Sequence, residues 1–124
     1  MPKKPTRRTG AELSYPQFWI LMSLLAGRPN YGWGITHEVE EMTDGKVKLG
    51  AATLYDNLKR LIDDGYVEHA GEKDIASNET RKHYMITGLG AKAVDDYLDL
   101  IDKARDRARS AGPLPNPLPV GNEG

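Results

Sequence analysis

The chain of 124 residues contains no cysteine and no long apolar run. Without cysteine it can form no disulfide, thiolate metal site or cysteine nucleophile. No segment approaches the roughly 18 consecutive apolar residues of a membrane-spanning helix. Residues 1–5 lack the apolar core of a secretory signal. These absences lead us to expect a cytoplasmic protein.

The composition predicts one domain of ordinary size with a small core. Apolar residues make up 39% of the chain, which is below the usual share, so a partner subunit is expected to cover some of the apolar surface. The net charge of −1 is unusual for a nucleic-acid binder, but the charges are segregated. The first ten residues carry only basic charges, whereas residues 95–106 contain five aspartates. Local phosphate binding therefore remains open.

Two helices are predicted in the first half of the chain. The first spans residues 15–26, with Ser14 as N-cap and Pro16 in the first turn. It is apolar on nearly every side, which favours cover by a second subunit. The second spans residues 32–42 and is followed by residues 46–49, which alternate like a short strand or an extended link.

The most informative segment is a predicted helix over residues 51–64. One face carries four apolar residues, Leu54, Leu58, Leu61 and Ile62. The opposite face carries Ala52, Asp56, Lys59 and Arg60, with Tyr55 on its edge. A helix with an apolar back and a small, polar, partly basic front suits the DNA major groove.

The remaining elements complete the predicted fold. Strands at 66–69 and 81–86 form a hairpin around a polar loop at 70–80, and Thr87 caps a last helix over 89–109. This order predicts a mainly α (α+β) fold, a winged helix-turn-helix with a two-stranded wing. The predicted parts are a flexible basic arm (1–12), a DNA-binding domain (13–87), a C-terminal dimerisation helix (88–110) and a disordered Pro-rich tail (111–124).

The predicted DNA contacts lie on the third helix, before it and in the hairpin. They are Lys48, Ala52, Thr53, Tyr55, Asp56, Lys59, Arg60, Arg81 and Lys82. Several alternatives stay open. Tyr55 could belong to the core, and Asp56 could accept from a cytosine amino group or only cap or solvate the helix. The hairpin cations could be a solvated loop, and the basic arm could be a solubilising tail or reach a minor groove.

Catalytic and metal-binding patterns are weak. Residues 31–34 lack the lysine and the spacing of a phosphate-binding loop. His37 and Glu41 lie one helical turn apart and could share a metal, but the sequence offers no third ligand. We therefore predict no enzyme activity, no cofactor and no metal. The rival to a DNA-binding regulator is a winged-helix module that binds protein instead of DNA.

Several motifs together resemble the PadR-like transcriptional regulators. Residues 21–25 and 29–35 resemble the opening of that family. Residues 53–55, 58–61 and 64–67 resemble its recognition helix and first wing strand, and 81–87 with Gly90 its second strand and last helix. Gly50-Ala51 stands where the family often has Ser-Pro, and Asp56 where a proline is common, which leaves the operator sequence open.

The resemblance implies a cytoplasmic homodimer that represses genes at a pseudo-palindromic double-stranded operator, in the compact subfamily with one C-terminal dimerisation helix. It also implies release by a small aromatic or apolar effector. Spare apolar surface on the first and last helices predicts the dimer interface, formed by Phe18, Trp19, Met22, Val94, Tyr97, Leu98, Ile101 and Ala104. Trp19, Trp33 and Tyr97, together with Phe18, could line an effector pocket or could be ordinary packing. Tyr97 lies on the last helix, where multidrug-binding members use a tryptophan.

Overall fold

The computed structural model describes residues 12–74 and 79–113, together with Pro115. Its elements are α1 (Tyr15–Ser23), β1 (Asn30–Tyr31), α2 (Gly32–Met42), α3 (Ala51–Asp63), β2 (Val67–Asp74), β3 (Glu79–Ile86) and α4 (Gly88–Ser110). The strands form one antiparallel sheet in the order β1-β3-β2. The predicted basic arm before Glu12 and most of the predicted Pro-rich tail lie outside the described residues.

The core lies where α1, α2 and α3 meet, and the hairpin and the start of α4 close it. The helices contribute fully buried aliphatic side chains, which include Ile20, Leu21, Ile35, Val39, Leu58 and Leu61. Tyr66, Val67 and Tyr84 come from the hairpin, and Ala93 and Val94 from α4. The predicted winged helix-turn-helix fold class is confirmed, and the hairpin of β2 and β3 is its wing.

Helix α1 begins as predicted and ends earlier than predicted. The Ser14 hydroxyl accepts from the Gln17 backbone N–H at 3.3 Å, and the Gln17 side chain accepts from the Ser14 N–H at 3.1 Å. This reciprocal capping box fixes the first turn. The predicted end at residue 26 is wrong, because the helix stops at Ser23 and residues 24–26 form a turn.

The strands differ from the prediction in three places. The short strand β1, which pairs Asn30 with Tyr84 of β3, was not predicted. The predicted loop at 70–80 is wrong for most of its length, because β2 continues to Asp74 and β3 begins at Glu79. The polar residues pair there through backbone hydrogen bonds, with register shifts on either side of Gly71. Residues 47–50 form an extended link and not a strand.

A single hydroxyl joins the end of α3 to the start of α4. Gly65, at φ +83°, ends α3 in the left-handed conformation that glycine adopts freely. The Thr87 Oγ1 donates to the Gly65 carbonyl at 2.7 Å and accepts from the Gly90 N–H at 3.0 Å. The Thr87 N–H also donates to the Tyr66 carbonyl. A side chain at Gly90 would collide with that carbonyl, so α4 starts in close contact with the turn after α3.

Helix α4 has a buried half and an exposed half. Gly90, Ala93 and Val94 pack against the body, whereas every residue from Leu98 to the end of the helix at Ser110 is exposed. None of the helices in the described part of the chain is both long and apolar enough to cross a membrane.

Candidate nucleic-acid interface

Helix α3 presents an uncovered polar face. Its buried side consists of Leu54, Leu58 and Leu61, as the spacing predicts. Six of the predicted DNA contacts lie on the exposed side: Ala52, Thr53, Tyr55, Asp56, Lys59 and Arg60. The N-cap residue Gly50 has no side-chain cap, and the space around a Cβ at that position is open. The N-terminal turn is thus accessible, with backbone N–H groups at its positive dipole end.

The link between α2 and α3 holds Lys48 beside this face. The Thr43 hydroxyl donates to the Val39 carbonyl at 2.8 Å and accepts from the Val47 N–H at 3.0 Å. Val47 is buried, so the link is anchored between the two helices, and the neighbouring Lys48 is exposed. The link therefore presents a fixed cation next to the start of α3.

Tyr55 joins α3 to the start of α2. Its side chain is 50% exposed, and its hydroxyl lies where a side chain on Gly32 would be. Only glycine leaves room for the phenol ring at this crossing, because a Cβ would meet both the hydroxyl and the ring. Tyr55 is thus neither a core residue nor a fully free contact residue. One side packs on α2 and the other faces solvent.

A groove lies between the start of α2, Tyr55 and strand β3. It has a volume of about 560 Å³ and is lined by Tyr31, Gly32, Trp33, Tyr55, Arg81, Lys82 and Tyr84. The Arg81 guanidinium lies 4.5 Å from the centre of the Tyr31 ring, an arrangement that holds a cation over an aromatic face. Lys82 is exposed beside it. Aromatic surface and positive charge therefore meet at one side of α3.

Trp33 extends this aromatic surface and is 66% exposed. Its ring stacks on His37, with the centroids 5.1 Å apart and the planes 8° from parallel, and on Tyr31 at 6.4 Å. The sequence assigned Trp33 to the effector pocket and missed this position. Its place two residues after Asn30, within an aromatic–glycine alternation at a helix start, was the available signal.

Tyr84 forms the floor between this groove and a second depression near Lys59. Burial raises the pKa of the Tyr84 hydroxyl above its ordinary value of 10.0, and the neighbouring Tyr55 raises it further. Tyr84 therefore stays protonated and neutral near neutral pH. The second depression is lined by Lys59, Ile62 and His69 among others, so Lys59 lies on the hairpin side of α3.

Asp56 and Arg60 lie on the other side of α3, toward α1. With Thr53 and Asn57 they line a depression that also includes Ser14 and Gln17. Asn57 is tied to its own helix through a 2.8 Å hydrogen bond to the Thr53 carbonyl. Of the groups in this depression, Asp56 and Arg60 are the charged ones, and they are one helical turn apart. The two flanks of α3 thus differ, one aromatic and basic and the other mixed in charge.

The structure separates the residues predicted for the effector pocket. Phe18 stacks on Tyr97 at 4.6 Å and meets the edge of Trp19 at 5.0 Å, so these three rings form one cluster. Trp33 belongs to the separate aromatic surface beside α3. Within the first cluster, the Trp19 indole Nε1 is buried and has no hydrogen-bond partner among the described residues.

The residues predicted for the dimer interface fall into two groups. Phe18 and Val94 are 8% and 1% exposed, so they already pack inside the protomer. Trp19, Met22 and Tyr97 are half-buried. Leu98, Ile101 and Ala104 are exposed on α4. The accessible part of the predicted interface is therefore the outer half of α4 with the edge of α1.

Three helices, a β-hairpin wing and an exposed third helix define a winged helix-turn-helix protein of the DNA-binding class. The chain belongs to the PadR-like family of transcriptional regulators, whose sequence profile matches residues 20–96. Family membership confirms the resemblance read from the motifs, DNA-binding transcriptional regulation, and the prediction that the chain is not an enzyme.

Similar proteins agree on the fold. A transcriptional regulator from Clostridium thermocellum superposes with a TM-score of 0.66 at 23% identity, over 80% of this chain and 94% of that one. RosR from H. salinarum gives 0.59 at 26% identity, over 81% and 90%. A PadR-like regulator from Bacillus cereus gives 0.63 at 17% identity, over 77% and 89%.

A sequence relative is an uncharacterized protein from Lysinibacillus sphaericus. It is 32% identical over 71 residues, which is 57% of this chain. The match spans 64% of that relative's own length.

Proposed function

We propose that the chain is a homodimeric repressor that acts in the cytoplasm on a pseudo-palindromic DNA operator. In this proposal α3 enters the major groove, and the hairpin cations Arg81 and Lys82 contact flanking phosphates. The observation that carries the proposal is the uncovered N-terminal face of α3, where small side chains at Ala51 and Ala52 follow the open position at Gly50. This face lets backbone N–H groups approach phosphate or base edges closely.

The positive charges around α3 support this assignment. Lys48, Lys59, Arg60 and Lys82 are exposed on the elements that border it. The acidic residues of the chain concentrate instead on α4, away from α3 along the sequence. A local basic surface on a slightly acidic protein is sufficient for phosphate binding, since salt-dependent affinity follows local contacts and not net charge.

A titration with DNA tests the proposal. Fluorescence anisotropy with a labelled fragment from upstream of the gene, and with a scrambled fragment of equal length, should show saturable binding that prefers the upstream fragment. Affinity should fall steeply as salt rises, with a slope that reports the number of phosphates contacted. Equal affinity for both fragments, or no binding at low salt, would contradict the proposal.

We further propose that a planar apolar effector releases the repressor by binding at the cluster of Phe18, Trp19 and Tyr97. The support is the buried Trp19 Nε1–H, which lacks a partner among the described residues. An unpaired buried donor costs about 1–3 kcal/mol, so a ligand that offers an acceptor beside its aromatic plane would gain that energy.

The effector proposal has its own fluorescence test. The chain has two tryptophans, so a Trp33→Phe variant leaves Trp19 as the sole indole reporter. Titration with planar aromatic compounds should quench or shift Trp19 emission and lower DNA affinity together. If Trp19 emission stays constant across such compounds, the effector proposal fails while the DNA-binding proposal stands.

A further inference from the structure

The outer half of α4 carries an apolar stripe that no described residue covers. The buried positions Ala93 and Val94 continue along the same helical face to Ile101, Ala104 and Ala108, which are exposed. Ile101 is 43% exposed and Leu98 38%. A helical segment with such a stripe and no packing partner is only marginally stable in water. The stripe thus needs an occupant.

The sizes of the stripe residues indicate a second copy of α4 in antiparallel orientation. Along the stripe, the large residues Tyr97 and Ile101 come first and the small residues Ala104 and Ala108 come second. A two-fold axis perpendicular to the helices pairs Ile101 with the partner's Ala104, and Tyr97 with the partner's Ala108. Each layer then combines one large and one small side chain, as close packing requires. A parallel pair would place tyrosine on tyrosine and alanine on alanine.

The charges of α4 favour the same orientation. Residues 92–102 contain four aspartates and one lysine, and residues 103–109 contain four basic residues and one aspartate. The carboxylates of Asp95, Asp96 and Asp99 lie within 4.8 Å of one another, so they repel each other in the isolated chain. Only an antiparallel pair brings the acidic half of one helix to the basic half of the other.

The pairing also holds at the level of individual positions. At 100° per residue, Asp95, Asp102, Arg105 and Arg109 lie along one edge of the stripe. In the register set by the large–small layers, Asp95 faces the partner's Arg109 and Asp102 faces the partner's Arg105. A groove of about 450 Å³ runs along this edge, lined by Ile101, Ala104, Arg105, Ala108, Arg109 and Gly112. The partner helix would fill it.

We propose that α4 pairs with α4 of a second copy in antiparallel orientation, with the two-fold axis between Asp102 and Lys103. Large–small layers and crossed Asp–Arg pairs then fix this register. The inference rests on the homodimer of the proposed function and adds its geometry, because it specifies how the two α3 helices are held relative to one another.

Disulfide mapping tests the register, and the natural absence of cysteine makes single substitutions clean reporters. In the proposed pair the two copies of position 104 are offset by about 4–5 Å along the helix axis, and those of position 108 by about 16 Å. A disulfide needs Cα atoms within about 7 Å. Under mild oxidation Ala104→Cys should therefore cross-link to itself, and Ala108→Cys should not.

The outcomes separate this inference from the proposed function. A dimer in which Ala108→Cys cross-links to itself as readily as Ala104→Cys is parallel, and one in which neither cross-links pairs elsewhere. Either result overturns the register and leaves a dimeric DNA-binding protein. A chain that remains monomeric by sedimentation, with and without operator DNA, overturns the register and the proposed homodimer together.

Charge reversal supplies an independent arm. Arg105→Asp should raise the dimer dissociation constant at least about tenfold, because it places like charges opposite each other. Asp102→Arg in the same chain as Arg105→Asp should restore it to within about threefold of the natural protein. The matched control is Lys103→Asp, the same charge change on the opposite face, which should shift the constant by less than about threefold. No recovery in the double variant would exclude the Asp102–Arg105 pair.

Discussion

Lys59 is the residue on which charge and exposure combine most directly at the proposed DNA surface. It lies on the hairpin side of α3, beside a depression lined by His69 and Tyr84. If it contacts phosphate, Lys59→Ala should weaken binding about equally for all DNA sequences and lower the salt slope by about one. The measurement is anisotropy titration at several salt concentrations.

Lys92→Ala provides the matched control, since it removes the same charge from α4, where Lys92 pairs with Asp96 at 3.1 Å. That variant should bind as the natural protein does. A loss of preference at one base pair in the Lys59 variant would instead assign Lys59 to base readout.

Tyr84 makes the stability of the fold pH-dependent in alkali. Its pKa is raised from 10.0, first by burial and then by Tyr55, so the folded state holds this proton more tightly than the unfolded state. The stability that it contributes is complete below pH 10 and decreases as pH rises through the raised pKa. Urea unfolding between pH 8 and about 11 should show this decrease.

Tyr84→Phe should reduce that alkaline decrease, since it removes the titrating hydroxyl. Ultraviolet titration gives a second readout, because the slowest tyrosinate to form should vanish in the same variant. An unchanged alkaline profile would assign the decrease to other groups.

At the scale of elements, the open start of α3 is the feature with the clearest consequence. The Gly50 φ of −73° suits any residue, and no atom lies within 4 Å of a Cβ there. Gly50→Ala should therefore keep or slightly raise the unfolding free energy, by up to about 1 kcal/mol. If DNA approaches the N-terminal turn closely, the same methyl group should weaken operator binding severalfold.

Gly88→Ala is the control for this variant, because Gly88 also lies in open space at a helix start, on α4. It should change neither stability nor DNA affinity by more than the Gly50 variant changes stability. Equal binding by all three proteins would show that α3 does not enter the groove by its first turn.

The helices were predictable to within a few residues, because each depends on local signals. Ser14 with Gln17 sets the start of α1, apolar spacing places α3, and Thr87 caps α4. The sheet was less predictable. Strand β1 has only two residues and exists because β3 lies beside it, a contact between Asn30 and Tyr84 that local sequence does not encode.

The site was predictable by helix face but not by assembly. Periodicity placed Tyr55, Asp56 and Lys59 on the exposed side of α3, and all three lie there. It could not show that Asp56 and Lys59 lie on different flanks, or that Trp33 joins Tyr31 and Arg81 beside Tyr55. Those groupings arise from the crossing of α2 over α3, which depends on the missing side chain at Gly32.

For the whole molecule, a two-fold dimer would present two α3 helices about 34 Å apart, one turn of DNA. Insertion of five base pairs between the half-sites of the operator should abolish tight binding, because the second half-site rotates to the far side of the duplex. Insertion of ten should leave each protomer able to bind one half-site only. Anisotropy with the three fragments measures this. Equal affinity for all three would contradict a rigid symmetric dimer.

The Thr87 hydroxyl bridges the carbonyl of Gly65 and the N–H of Gly90, so the end of α3 and the start of α4 meet at one point. In mechanical terms α4 is a lever arm, and Thr87 is the fulcrum close to the DNA-reading end. The outer half of α4 extends well beyond the body, so a small tilt between paired α4 helices would be passed to α3 as a rotation. The distance between two reading heads would then be set by the angle of a helix that touches no DNA.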